Sequence, residues 1–152
     1  MNPAFKLLAP LSFVLIAPSH ALDQLPLDQL QHGLWKVERK IEKLEENPVV
    51  RETRHSEYCA SPKKEILKTL RTASYLCKTD VTKLADNKFA IDAACKLGIV
   101  SGTNKTTITI VSPSEYSAEV ENKGSKLGEK QHRKEFITAV RTGDCSEGES
   151  KK

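Results

Sequence analysis

Hydrophobic and polar residues alternate along most of this chain, and a period of two is typical of β-strands that bury one face. The stretch beginning GLWKV shows it clearly, because Trp35, Val37 and Ile41 fall on one face and charged residues fall on the other. Arg39 lies on the apolar face and interrupts it. The pattern therefore predicts a first strand whose apolar face is interrupted at Arg39.

Six further stretches have strand character, and turn signals rich in Gly, Pro, Asn and Ser separate most of them. The second strand, VVRETRHSEYC, is so polar that we expect it at an edge of the sheet. The five later strands alternate through Tyr75, Cys77, Thr79 and Val81; Phe89, Ile91, Ala93, Cys95 and Leu97; Thr106, Ile108 and Ile110; Tyr116, Ala118 and Val120; and Phe136, Thr138 and Val140.

The segment SPKKEILKTLRTA has a helical period instead. Ser61 is a suitable N-cap, and Pro62 is favourable at the first helical position. Ile66, Leu67 and Leu70 then share one stripe, with lysines and arginine outside it. The sequence therefore predicts one short amphipathic helix laid on the sheet after the second strand.

Hairpin pairing makes these faces agree across strands. A turn around Pro113 sets Ile110 opposite Tyr116, and a longer Gly-rich loop, NKGSKLGEK, can set Val120 opposite Phe136. The same two registers pair Ile108 with Ala118, Thr106 with Val120, Ala118 with Thr138, and Tyr116 with Val140. We therefore predict a mainly β fold, an antiparallel up-and-down sheet of about seven strands curled into an open or closed barrel, with one inserted helix.

The first 21 residues have the features of an export signal. Lys6 precedes a short apolar run, and Ser19 and Ala21 are the small residues expected before a cleavage site. That run is shorter than the roughly 20 apolar residues that a membrane-spanning helix needs. We expect a signal peptide cleaved after Ala21, and we expect no transmembrane anchor after cleavage.

The remaining chain is predicted to contain a leader of residues 22–32, one β domain of residues 33–145 and a disordered tail of residues 146–152. The export signal predicts an exported protein, located in the periplasm or secreted from the cell.

Charge argues against a nucleic-acid partner. The chain has 24 Lys and Arg against 20 Asp and Glu, and the two signs are interleaved, as in VERKIEKLEEN. Nucleic-acid binding instead concentrates positive charge on one face. Aromatic residues are only 5% of the chain, too few to supply good stacking platforms for bases.

Four cysteines in an exported chain predict two disulfides. A hairpin centred on Asp86 sets Cys77 directly opposite Cys95, at the separation that a disulfide needs. Elimination then pairs Cys59 with Cys145. A zinc site is the competing interpretation, but no two cysteines have the C-x-x-C spacing that zinc and redox sites favour. We therefore predict no metal and no cofactor.

The sequence contains no motif that carries catalytic chemistry. The histidines lie outside any H-E-x-x-H pattern, and no G-x-S-x-G, Walker or G-x-G-x-x-G segment occurs. We assign no catalytic residue. An enzyme remains an alternative only if dispersed residues such as His55, His132 and Glu57 meet in a pocket.

Four short motifs occur in order along the chain: GLWKV, YCASP, an internal cysteine pair and RTGDC. This combination resembles a family of small exported bacterial proteins, domain of unknown function 3617. The residues that carry the resemblance are Gly33, Leu34, Trp35 and Val37, then Cys59 and Pro62, Cys77 and Cys95, and Gly143, Asp144 and Cys145. The resemblance implies a periplasmic, Gram-negative setting and brings no assigned chemistry with it.

The leading hypothesis is a non-enzymatic periplasmic module that binds a small or lipidic ligand or an envelope protein, because a curled sheet with an apolar inner face can hold a ligand. The alternatives are the enzyme above and a protein–protein adaptor or inhibitor that binds through the second strand as an exposed edge. The predicted ligand-facing interior residues are Trp35, Val37, Tyr75, Phe89, Ile108, Tyr116 and Phe136.

Overall fold

The computed structural model describes residues 25–146 of the 152-residue chain. The predicted signal peptide, the start of the leader and nearly all of the tail lie outside these residues. The elements are a 3-10 helix, Pro26–Gln29, then β1 Gly33–Lys43, β2 Val50–Ala60, α1 Pro62–Leu76, β3 Cys77–Ala85, β4 Lys88–Leu97, β5 Val100–Ser112, β6 Glu115–Lys126 and β7 Glu129–Gly143.

All seven strands form one antiparallel sheet in the order β2-β1-β7-β6-β5-β4-β3. β2 and β3 are therefore the two edges, and α1 connects them. The mainly β fold with one helix after the second strand is confirmed, and the sheet is open rather than closed. β2 lies at an edge, and its many charged side chains protect that edge from pairing with another chain.

The two ends of the sheet differ in what they carry. The Leu127 end contains the β1–β2, β4–β5 and β6–β7 turns together with the last turn of α1. The opposite, Cys145 end contains the β3–β4 and β5–β6 turns, the start of α1 and the close of β7.

The core lies on the face of the sheet that α1 and the 3-10 helix cover, which we call the inner face. Trp35 and Phe89 are fully buried there, together with Leu27 from the 3-10 helix and Leu70 from α1. Full burial of each such side chain stabilises the fold by about 1.5–3 kcal/mol. The core therefore fastens the helical segments to the sheet.

The helix starts as predicted and ends later. Pro62 is its first residue, and Ile66 and Leu67 pack against the core beside buried Leu70. It continues to Leu76, however, so Tyr75 lies in its last turn and is 90% exposed. The prediction that Tyr75 faces the interior is therefore wrong. The alternation through β3 starts only at Cys77, and the helical hydrogen bonding persists up to that residue.

Two predicted hairpin registers are confirmed. In the β3–β4 pair, Val81 lies opposite Ile91 and Cys77 opposite Cys95. The β5–β6 pairs are Ile110 with Tyr116, Ile108 with Ala118, and Thr106 with Val120. In both cases a short turn leaves the alternation only one register that buries its apolar set.

The predicted β6–β7 register is wrong by one residue. Ala118 lies opposite Ile137 rather than Thr138, and Tyr116 lies opposite Ala139 rather than Val140. A shift of one residue moves a whole strand face to the other side of the sheet. Phe136 is therefore on the outer face, 43% exposed, and not in the interior as predicted.

The cause of this shift is the turn. The Gly-rich segment predicted as a loop is mostly strand, and β6 and β7 are joined by Leu127 and Gly128 alone. Both have positive φ, 54° and 85°, as in the tight two-residue turns that fit the twist of a hairpin. Turn length sets the register. Because the observed turn has two residues rather than a long loop, different residues of β7 face inward than the sequence predicted.

Both predicted disulfides are present, one at each end of the sheet. Cys59 and Cys145 are joined at the Cys145 end, with their Cα atoms 5.5 Å apart. Cys77 and Cys95 are joined near the Leu127 end, with their Cα atoms 4.4 Å apart. The second bond fastens β3, at the edge of the sheet, to β4 just where α1 ends.

Candidate functional site

A cavity of about 500 Å³ lies between α1 and the inner face, and we call it the inner pocket. Its walls are mainly apolar. Ile66, Leu70 and Ala73 of α1 form one side, and Ile108 and Ile137 belong to the sheet wall opposite.

The inner pocket exists because small residues face each other across it. Ala73 on α1 lies over a wall that includes Ala93 of β4 and Ala118 of β6. Both sheet alanines are buried, yet their methyl groups fill little of the space between helix and sheet. Protein interiors are normally close-packed, so three small residues around one space leave room for another molecule.

Two tyrosines line the inner pocket. The ring of Tyr116 packs against Trp35, with 5.6 Å between ring centroids. Burial, together with nearby Tyr58 and Glu65, raises the pKa of Tyr116 to about 12. Burial also raises the pKa of Tyr58. Both hydroxyl groups therefore stay protonated at neutral pH and can donate hydrogen bonds to a ligand.

Charged side chains line another part of the same cavity. Glu135 of β7, only 9% exposed, is the one buried charged residue of the described chain. Its carboxylate lies 2.7 Å from Nη2 of Arg133 and 3.8 Å from Nη1 of Arg39. Burial raises the pKa of Glu65 on α1, and the positive charge of Arg39 opposes that rise. The pocket thus combines apolar walls with neutral hydroxyls and a balanced set of charges.

The cavity continues along the inner face toward the Leu127 end. A neighbouring space of about 380 Å³ shares Cys95 and Asn104 with the inner pocket. Gly102 and Gly124 face each other in its wall, and a Cβ atom on either would lie within 2.6 Å of a carbonyl oxygen of the opposite strand. Glycine is therefore required at both positions for β5 and β6 to approach so closely.

An unpaired donor marks this second space. Nε of Arg133, which lines it, is buried without a hydrogen-bond partner, the sole such side-chain atom in residues 25–146. Buried polar atoms are nearly always hydrogen-bonded, so this N–H is a donor that an acceptor on a bound molecule could satisfy.

The predicted interior residues divide into three groups. Ile108 and Tyr116 line the inner pocket, whereas Trp35, Val37 and Phe89 are buried in the packed core beside it. The remaining two, Tyr75 and Phe136, are exposed.

The polar residues of the site were not predicted. Arg39 did give a signal, because it is a basic residue between Val37 and Ile41 on the apolar face of β1. Glu135 gave none, since the wrong β6–β7 register placed it on the outer face. Tyr58 and Glu65 looked like ordinary members of a polar strand and a helix surface.

The histidines proposed for an enzyme do not meet. His55 pairs with Glu38 across 3.7 Å, while His132 bonds Glu121 across 2.8 Å. The strand registers place the two histidines about six residues apart along the sheet, roughly 20 Å at 3.3 Å per residue. Glu57 pairs with Lys36 instead. The dispersed residues therefore do not assemble into a site.

His32 lies against the Cys59–Cys145 disulfide, with Nε2 3.7 Å from each sulfur. These three residues are also the one group within residues 25–146 whose donor atoms are close enough to hold a metal ion. Cysteine binds metals as a thiolate, and both sulfurs are committed to the disulfide here. With the disulfide formed, the imidazole of His32 packs against the two sulfur atoms.

The fold and site define a class: an open, single-sheet β protein, fastened by two disulfides, whose one helix encloses a pocket with the inner face. The chain belongs to the family described as Protein of unknown function (DUF3617), whose model matches residues 30–145. The resemblance inferred from the motifs is thereby confirmed. No curated protein matches the chain.

The raised pKa of Tyr116 predicts a loss of stability in alkali. Between pH 10, where the unfolded phenol ionises, and pH 12, where the folded one does, the unfolded state binds fewer protons. The free energy of unfolding should fall across this window by about 2–3 kcal/mol, since one pKa unit corresponds to about 1.4 kcal/mol. Urea denaturation of the wild type and of Tyr116→Phe measures it. Equal pH dependence in both proteins would contradict the assignment.

Proposed function

We propose that this protein is a non-enzymatic binding module for a small amphipathic molecule, held in the inner pocket. The observation that carries the proposal is a cavity of about 500 Å³ with apolar walls and a few convergent polar groups. Pockets for small ligands commonly measure about 300–1,000 Å³ and have this composition.

The apolar walls favour a hydrocarbon or lipidic portion of the ligand. Burial of apolar surface contributes about 25 cal/mol per Å², so a chain placed among Ile66, Ile108 and Ile137 would gain affinity without any charge.

The polar groups favour a headgroup that accepts hydrogen bonds. Tyr58 and Tyr116 offer protonated hydroxyls, and the Nε of Arg133 offers a free donor in the adjoining space. Arg39 and Arg133 already pair with Glu135, so little net positive charge is left for a bare anion. We therefore propose a neutral or zwitterionic polar group.

We further propose that the protein works in the periplasm. Two disulfides are compatible with an exported protein. Within the described residues, no helix has both the length and the apolar character needed to cross a membrane.

Filling the pocket tests the proposal. Ala73→Trp places a large ring into the cavity from α1, whereas Ser74→Trp adds the same ring at the next, exposed position. We expect Ala73→Trp to weaken binding of a fluorescent apolar probe such as N-phenyl-1-naphthylamine at least tenfold and Ser74→Trp to leave it unchanged. Native mass spectrometry of the wild type should also show co-purified small molecules that Ala73→Trp lacks.

Both variants must keep the circular dichroism spectrum and both disulfides of the wild type. If folded Ala73→Trp binds the probe as the wild type does, the inner pocket is not the binding site.

A further inference from the structure

An exposed apolar cluster lies at the Leu127 end of the sheet, away from the inner pocket. Leu127 is 70% exposed and Ile99 is 65% exposed, and each occupies the turn of a hairpin. Leu97 and Val100, which flank the β4–β5 turn, are also exposed. We call these four residues the tip patch.

The two turns lie side by side. The backbone N–H of Leu127 donates a hydrogen bond to the carbonyl oxygen of Ile99, with 3.4 Å between the atoms. Val100 also pairs with Lys126 across β5 and β6. The four side chains therefore belong to one region of the surface, although they come from two separate hairpins.

Leucine at position 127 is a poor choice for the fold alone. Its φ of 54° lies in the left-handed region, where a side chain with Cβ is disfavoured and Asn or Gly is the usual occupant. No other described residue besides glycine has a positive φ. A large apolar side chain kept in a strained and exposed turn indicates a role in contacting something outside the chain.

Lysines lie beside the tip patch on both hairpins. The two hairpin ends carry Lys96, Lys123, Lys126 and Lys130, against one acidic residue, Glu129.

Acidic residues nearby come from the β1–β2 turn and from the middle of β6. Glu46 of that turn is paired with Lys43, and Glu45 faces the same region near Lys123 and Lys130. Glu121 pairs with Lys123 across 2.9 Å. Counting Lys43 as well, five lysines and four acidic residues lie around the two tips, an excess of one positive charge.

We propose that the tip patch docks on the surface of an anionic lipid bilayer. Apolar side chains at the end of two tight turns can enter the interfacial layer, while lysines around them bind the anionic headgroups. A protruding tip of this kind differs from a groove, which would receive a peptide or a protein segment. This proposal stands independently of what the inner pocket holds.

Vesicle flotation tests the proposal directly. We expect the protein to float with vesicles of phosphatidylglycerol and phosphatidylethanolamine, and not with vesicles of phosphatidylcholine alone. Binding should weaken severalfold between low and physiological salt, because the lysine contribution is screened. Intact-mass measurement of each preparation ensures that all variants share the same N-terminus.

The variant Ile99→Ser/Leu127→Asn removes the apolar tips, and its second substitution suits the left-handed turn. We expect its Tm to stay equal to or above that of the wild type while vesicle binding falls at least tenfold. Val111→Ser is the matched control, since it removes an exposed apolar side chain at the Cys145 end. It should bind as the wild type does.

Failure of the wild type to float with anionic vesicles overturns the proposal, as does equal flotation of the double variant. Retention of a periplasmic protein by the wild-type tips, without vesicle binding, would assign the patch to a protein partner instead. Because probe binding in the inner pocket is measured without vesicles, the two proposals can fail separately.

Discussion

Replacing Cys59 and Cys145 by serine is expected to lower the free energy of unfolding by about 4–5 kcal/mol. The two residues are 86 positions apart, so the bond removes much conformational freedom from the unfolded chain. In the folded state the bond links Cys59, near the end of β2, to Cys145, just after β7. It crosses the start of β1, which lies between those two strands. Urea denaturation without reductant measures the loss.

The matched control is the double replacement of Cys77 and Cys95. Their separation is only 18 residues, for which the same entropic argument gives about 3 kcal/mol. A loss for Cys59/Cys145 equal to or smaller than that for Cys77/Cys95 would contradict loop entropy as the main cause. Strain or residual structure in the unfolded chain would then dominate.

Alternation determined most of the fold from sequence because one face of the sheet is buried. Where a short turn joins two strands, as between Val81 and Ile91 or between Ile110 and Tyr116, a single register satisfies both the turn and the burial. The same geometry located the Cys77–Cys95 bond.

The two errors came from segments where the alternation has no unique phase. Residues 121–135 contain few apolar side chains, so nothing in the pattern fixed where β6 ends and β7 begins. The turn itself is an unusual sequence for its conformation, because Leu127 replaces the expected Asn or Gly. At Tyr75 a helical period and a strand period overlap, and backbone hydrogen bonding decided the outcome.

The candidate site was harder to predict from the sequence than the fold. A cavity depends on the summed size of side chains from distant elements, such as Ala73 and Ala118, whose juxtaposition no local pattern records. The charged residues around it were hidden for a related reason: Glu135 pairs with Arg39 only in the observed register. Arg39 alone was visible beforehand, as a break in an apolar face.

The inner pocket and the tip patch lie along one path on the inner face of the sheet. The inner pocket continues through the space beside Gly102 and Gly124 toward the end where Ile99 and Leu127 protrude. A lipidic ligand held in the pocket would therefore leave the protein near any bilayer docked on the tips. If both proposals hold, Ile99→Ser/Leu127→Asn should slow transfer of a fluorescent lipid from vesicles without changing the affinity of the pocket for a soluble probe.

A pair of phenylalanine truncations tests the β6–β7 register itself. Phe89 is fully buried, and Phe89→Ala should lower the free energy of unfolding by about 3–5 kcal/mol through lost burial and the cavity left behind. Phe136 is 43% exposed, so Phe136→Ala should lower the free energy of unfolding by about 1 kcal/mol or less. In the register predicted from sequence both rings would face the core, and both changes would be costly.

Urea denaturation of the two variants distinguishes these registers, with Phe89→Leu as a milder substitute should Phe89→Ala fail to fold. A loss of 3 kcal/mol or more for Phe136→Ala, on the scale of a buried aromatic residue, would contradict the observed pairing. Ala118 would then face Thr138, Glu135 would point outward, and the charged part of the inner pocket would be lost with it. The register of one hairpin therefore decides both where a large ring is buried and whether the candidate site has its polar groups.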